Sequence, residues 1–264
     1  MNNSLVSILV PTYNRPAFLG RTLESLVGQS YSNIEIIVVN DAGQDVQTVV
    51  DSFNDKRIKY FQNEKNLDLA GTRNVALRKS TGDYICLLDD DDIYLPYTIE
   101  FRMYMIDKLN ADIVYSRALQ DIWEPAGQEG HYRSVKKQLY WDSPFDRDLI
   151  LIQNIAPCSC PLFSRNSWEN TGCWFDETLT TSEDWALWVE LSRKYDFHEL
   201  KIVDCECSYR TDNSQMSGSR QGFTTHLPQL YKKWRKYAKN LPMVIDKQNQ
   251  SLISRHLDPK EYGL

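Results

Sequence analysis

The sequence predicts an α/β fold: a mainly parallel sheet with helices on both faces. Between Leu5 and Tyr115, short apolar runs alternate with segments of helical periodicity. These runs are near-continuous in valine, isoleucine and leucine, as strands buried on both faces require. Acidic residues, Asp41 and then Asp89 to Asp92, stand directly after two of them. Open α/β sheets bind their ligands at that position, beyond the carboxyl ends of strands.

Taken in order, Leu5 to Val10 is a β-branched run closed by Pro11. Pro16 suits a first helical turn, and Phe18, Leu19, Leu23, Leu26 and Val27 follow at helical spacing. Ile34 to Val39 forms the second strand, Val46 to Phe53 a short helix, and Ile58 to Phe61 a third strand. Ala70 to Lys79 reads as helix, and Tyr84 to Leu88 as a strand that stops at four aspartates. Pro96 opens a helix to about Leu109, and Asp112 to Tyr115 is the next strand. From Gln120 to Trp141 the pattern breaks into a hairpin or excursion, with Gly127 and Gly130 in it. Cys160 to Phe163 is again a strand. Thr180-Thr181-Ser182 supplies hydroxyl caps for a helix carrying Glu183, Asp184, Trp185, Leu187, Trp188 and Leu191. Thr211 to Gly222 is polar and rich in glycine and serine, hence a flexible loop, and a basic helical tail follows from Phe223.

Composition narrows the function classes. The 264 residues are 42% hydrophobic and 25% charged, the profile of a globular protein of one large domain or one domain with an appendage. A formal net charge of -6 argues against a nucleic-acid binder. No stretch approaches the roughly 20 apolar residues of a membrane span. Met1-Asn2-Asn3-Ser4 shows neither a basic n-region nor an apolar h-region, so a cytoplasmic location is expected. Neither Cys158-Ser159-Cys160 nor Cys205-Glu206-Cys207 has zinc-knuckle spacing; both read as strand pairs filling the core.

Four carboxylates at a strand end repel one another, and a cation relieves that repulsion. Oxygen-only ligands suit manganese or magnesium shared with substrate phosphates; an acidic turn in water is the alternative. Pro11 to Pro16 is neither a P-loop nor a dinucleotide fingerprint. Tyr13 offers a face for a base or is simply packed, and Asp41 offers a carboxylate for a ribose or amide donor or serves a turn. Arg73 contacts a phosphate or base, or lies at the surface. Asp184 stabilises a helix start or acts as a base.

Together these segments resemble family 2 glycosyltransferases. The resemblance rests on Val6 to Asn14 (VSILVPTYN), Ile36 to Asp41 (IIVVND), Gly71-Thr72-Arg73-Asn74, Leu87 to Pro96 (LLDDDDIYLP) and Ser182 to Trp188 (SEDWALW), in that order. It extends over residues 4 to 217. It implies a GT-A fold and inverting transfer from a nucleotide sugar, with Pro11, Thr12 and Tyr13 lining the nucleotide pocket. It also implies that Asp41 contacts the base, Arg73 supports it, and Asp89 and Asp90 reach the ribose or diphosphate. Asp91 is then the principal ligand of Mn2+ or Mg2+, with Asp89 the alternative because the run leaves the register open. Asp184 matches the catalytic base, with Glu183 beside it on the acceptor side together with Trp185. Trp168, Trp174, Phe175 and Trp188 flank that side as further faces for a sugar. Arg210, Ser214 and Ser217 resemble a lid that closes over donor; no histidine ligand occurs there, and His226 is not assigned to the metal.

The resulting division is a glycosyltransferase domain over 1–217, with a nucleotide half (1–115) and an acceptor half (116–217), followed by a loop and helical tail (218–264). The expected partners are a nucleotide-sugar donor, with UDP the commonest nucleotide, and a glycan or lipid-linked acceptor. Surface polysaccharide or glycoconjugate synthesis is the implied setting. The basic tail packs on the domain, mediates a homo-oligomer, or touches the inner face of a membrane. A sugar-1-phosphate nucleotidylyltransferase would need a glycine-rich basic segment after the first strand, which this chain lacks. The other reading is a non-catalytic sugar-nucleotide binder with a degenerate fold.

Overall fold

The computed structural model describes residues 3–127, 131–140, 143–212 and 220–264. Strands β1 (Val6–Thr12) and β2 (Ile34–Asn40) are parallel and buried at every residue. Helix α1 (Pro16–Val27) connects them, with Leu19, Leu23 and Leu26 inward. Helix α2 (Gln47–Ser52) leads to β3 (Ile58–Gln62), parallel to β2, and α3 (Asp68–Lys79) leads to β4 (Tyr84–Leu87), parallel to β1. All four strands thus end on the same edge, and the loops following β1, β2 and β4 meet there.

Beyond β4 the sheet becomes mixed. The two-residue β5 (Ile93–Tyr94) precedes α4 (Thr98–Leu109), and β6 (Ile113–Pro125) turns back as β7 (Tyr132–Leu139). A 3-10 turn at Leu149–Leu151 leads to β8 (Pro161–Ser164), α5 (Arg165–Thr171), α6 (Glu183–Ser192) and β9 (Phe197–Arg210). The sheet order is β3-β2-β1-β4-β8-β6-β9-β5, with β7 bonded to β6. Strand β8 runs antiparallel to both β4 and β6, and β9 is parallel to β6.

Several expectations change. The strand expected over 112–115 continues to Pro125, across the anticipated boundary at 115/116, because β7 and β9 pair with its polar half. Only Cys205-Glu206-Cys207 had hinted at the 14-residue β9. The helix after Pro96 begins at Thr98. Cys158 lies in a turn rather than on a strand, since β8 begins at Pro161. Ser182 gives no hydroxyl cap to α6: its φ is 65° and its side chain accepts no capping hydrogen bond. Arg220 to Gly222, expected in the flexible loop, begin α7 (Arg220–Ala238).

A fully buried ion pair fastens the mixed half. Arg102 of α4 donates to both oxygens of Asp204 on β9, at 2.8 and 2.7 Å, and to the hydroxyls of Ser116 and Tyr94. Tyr94 in turn donates to the carbonyl of Leu87 at the end of β4. One guanidinium therefore links α4, β5, β6 and β9 beneath the acidic turn.

The tail packs on the domain. Tyr231 and Trp234 of α7 are buried, and the Trp234 ring lies 4.8 Å from that of Trp185 on α6. The Tyr231 hydroxyl donates to the carbonyl of Ile152, and Gln248 of α8 (Pro242–Ile253) donates to that of Leu151. Among the described residues, no helix is long and apolar enough to cross a membrane. Trp234→Ala should cost about 3–5 kcal/mol, as expected for a buried tryptophan, in urea unfolding of the full chain. A loss below about 1 kcal/mol would show that the tail is peripheral to the fold.

Candidate active site

The site grows from the end of β4. The Leu88 amide still donates to Leu9, and the Asp92 amide bonds back to the carbonyl of Asp89 at 3.0 Å, so the four aspartates form a tight turn. Such a turn fans its carboxylates apart and gives each a different environment. Asp90 and Asp92 point inward. Asp90 accepts from the Thr12 hydroxyl at 2.7 Å, and Asp92 from the Ser159 hydroxyl at 2.6 Å and the Ser208 amide at 2.9 Å. Burial pushes the Asp90 carboxyl up to about 7, with Arg15 opposing and Asp91 and Asp89 adding to the rise. Asp92 is raised well above the usual carboxylate range, by burial first and by Asp91 and Asp89 next. Asp89 and Asp91 instead carry guanidinium partners. Despite desolvation, Arg73 holds the Asp89 carboxyl below its ordinary value. Asp91 Oδ2 accepts from Arg15 and Arg210, each at 2.7 Å.

The second acidic element is tied to the first. Arg73, on α3 and fully buried, donates to Asp89 Oδ1 at 2.6 Å with one nitrogen and to Glu183 with the other. Asp184 follows in the first turn of α6, partly exposed. Its carboxylate accepts from the Trp185 amide at 2.7 Å and from Asn154 at 3.4 Å. Desolvation, then the charge of Glu183, pushes Asp184 up to about 7. The turn before β8 supplies a further link: the Cys158 thiol donates to Asp89 Oδ2 at 3.3 Å. Burial and the Asp89 charge raise Cys158 well above its ordinary value, which keeps it a protonated donor.

The ends of β1 and β2 form the adjoining wall. Pro11 and Thr12 are buried, whereas Tyr13 is 46% exposed with its ring available. Asp41 Oδ1 accepts from Asn63 at 2.9 Å and from the Leu67 amide at 2.8 Å, so the loop after β3 is pinned to this carboxylate. Asn14, Ala42 and Ser182 all have φ near 60°, a region that non-glycine residues avoid. Each adjoins a predicted site residue: Tyr13, Asp41 and Glu183. Gly43 fits between them because a Cβ there would come within 2.9 Å of Tyr13 and the Asn14 amide.

Not every predicted residue faces the site. Trp185 and Trp188 are fully buried, Phe175 and Trp168 nearly so, and Trp185 donates its indole N–H to the carbonyl of Ile150. These side chains are core, and Trp185 has no free face for a sugar. Of this aromatic group only Trp174, 44% exposed, presents one. Arg210 ends β9, where it is buried over the Phe18 ring at 4.9 Å, and so belongs to a strand rather than a loop. Ser214 and Ser217 lie outside the described residues. His226 bonds Thr180, ahead of α6. The sequence reading missed Arg15, Asn154, Cys158 and Ser159. Arg15 had a signal, since it stands just past the carboxyl end of β1; the other three lie in a turn without motif.

A sheet of this order, with flanking helices and an acidic turn beyond its parallel half, is the architecture of a GT-A glycosyltransferase. The chain belongs to glycosyl transferase family 2, whose profile matches residues 7–170. Over 116 residues it is 36% identical to WfgD of Escherichia coli, a UDP-Glc:α-D-GlcNAc-diphosphoundecaprenol β-1,3-glucosyltransferase; the match covers 44% of this chain and 46% of WfgD. Its fold is that of S. aureus TarS 1–349, solved in complex with UDP-GlcNAc (TM-score 0.68, 21% identity, 85% of this chain and 65% of that one). It is equally that of the mannosyltransferase PcManGT from Pyrobaculum calidifontis, in complex with GDP-Man and Mn2+ (TM-score 0.65, 15% identity, 96% and 75%).

Removing the charge from Glu183 and removing Arg73 should have unequal effects. Glu183→Gln should cost about 1–3 kcal/mol and Arg73→Met about 3–5 kcal/mol in denaturant unfolding, because the second change strands two carboxylates. Equal losses would show that the Arg73–Asp89 bond contributes nothing to stability.

Proposed function

We propose that this glycosyltransferase moves a sugar from a UDP-sugar to an acceptor hydroxyl with inversion, with the help of Mn2+ or Mg2+. The acceptor is a glycan or a lipid-linked glycan in surface polysaccharide or glycoconjugate synthesis. One observation carries the reading: Arg73 holds the acidic turn and the Glu183-Asp184 pair on opposite sides of one buried guanidinium. The reaction needs two separate acidic elements, one on the leaving-group side and one to take the acceptor proton. UDP rests on the UDP-Glc that WfgD uses and the UDP-GlcNAc bound to TarS, and the metal on the Mn2+ bound to PcManGT.

The residues fit a divalent cation shared with substrate. Among the described residues, no three metal-binding side chains form a cage. Asp91 Oδ1 accepts no hydrogen bond among them, and one open carboxylate oxygen suits a cation whose other ligands are phosphates and water. When bound there, such a cation supplies charge stabilisation to the leaving diphosphate. Asp89, Asp90, Asp41, Pro11, Thr12 and Tyr13 then line the nucleotide side, with Tyr13 stacking on the base. Arg210, held on Asp91, stands near the diphosphate. As the acceptor oxygen attacks the anomeric carbon, its proton passes to Asp184, and the bond to the diphosphate breaks on the opposite face. A carboxyl raised to about 7 is matched to that proton transfer at neutral pH.

Thermal unfolding should show a shift with UDP or a UDP-sugar that requires Mn2+ and is absent in Asp91→Ala. No shift with any nucleotide would leave the donor assignment without support. Asp184→Asn should lower UDP release by about 10²–10⁴-fold while leaving UDP binding intact; retained turnover would remove the base from this position. The base acts as a carboxylate, so activity should rise with pH through about 7, and Asp184→Asn should abolish this limb of the residual rate.

A further inference from the structure

We propose that Arg15 serves as an internal counter-cation for Asp91 and moves to the donor's diphosphate on binding, so that metal and nucleotide are taken up together. The inference rests on the donor and metal roles given above. Asp91 Oδ2 accepts from two guanidiniums at once, Arg15 and Arg210, each at 2.7 Å, and Arg15 also reaches Asp90 Oδ1 at 3.3 Å. A dication arriving alone at Asp91 meets like charge from both arginines. A diphosphate arriving alone meets the acidic turn. Together they exchange partners: the phosphates take up a guanidinium, for which they are strong acceptors, and the carboxylate is released to the cation.

The two arginines differ in their freedom to take part. Arg210 is 1% exposed and packed over Phe18, so it is fixed. Arg15 has a side chain 29% exposed and sits on the short segment between β1 and α1, directly after Asn14 with its φ of 57°. Its side chain makes no helix-capping bond and, among the described residues, is paired with carboxylates. The geometry therefore assigns the movable contact to Arg15 and the standing one to Arg210.

The test uses the full chain with Arg15→Gln and Arg15→Lys. Mn2+ binding without nucleotide is read from the electron paramagnetic resonance of free Mn2+, and UDP binding in saturating Mn2+ from titration calorimetry. Arg15→Gln should bind Mn2+ alone about tenfold more tightly, the scale on which one neighbouring charge acts on a carboxylate, and should bind UDP about tenfold more weakly. Arg15→Lys should stay near the unaltered protein in both. Unchanged or weaker Mn2+ binding by Arg15→Gln would overturn the proposal, as would equal weakening of both ligands. Absence of any UDP binding by the unaltered protein would instead remove the donor reading, and this proposal with it.

Discussion

The buried guanidinium of Arg73 is the contact on which the rest of the site depends. It brings together residues distant in sequence, Asp89 after β4 and Glu183 at the start of α6, from a position inside α3. A charge removed from water in this way is tolerated only when its partners are close and well aimed. The demand runs in both directions: α3 must pack on the parallel strands, and α6 must present its first turn inward. The first turn of α6 is thereby held beside the acidic turn, alongside the bonds of Cys158 to Asp89 and Ser159 to Asp92.

Around that contact, four adjacent carboxylates avoid mutual repulsion by separation of roles. Asp90 and Asp92 are drawn inward and their carboxyls rise toward the neutral form, while Asp89 and Asp91 face guanidiniums. The protein thus concentrates acidic groups without concentrating four full charges. The local backbone bears a cost as well. Asn14, Ala42 and Ser182 occupy left-handed conformations at about 1–3 kcal/mol each, and all three border the site.

Much of the parallel half was legible in the sequence because β1, β2 and β4 are largely apolar runs closed by proline, asparagine or aspartate. The acidic turn, Asp41 and the pair Glu183-Asp184 were legible by their positions after strands or before a helix. The mixed half was not. Strands β6 and β9 mix polar and apolar residues without a regular period and owe their length to each other and to β7, so neither shows itself in a local window. The tryptophans of α6 misled for a related reason: an aromatic stripe looks the same whether it meets a sugar or, as here, Trp234 and the carbonyl of Ile150. Cys158 and Ser159 became visible as carboxylate partners only when the turn before β8 had been placed beside Asp89 and Asp92.

The contact between Trp185 and Trp234 bears on how such a chain can diversify. The residue next to Asp184 has its side chain packed on Trp234 of α7, so this tail forms the rear support of the helix that carries Asp184. Exchanging the region from Arg220 onward between relatives is therefore not a modular graft. A chimera must import the facing residues of α6 along with it, and drift in the tail is constrained by the helix in front.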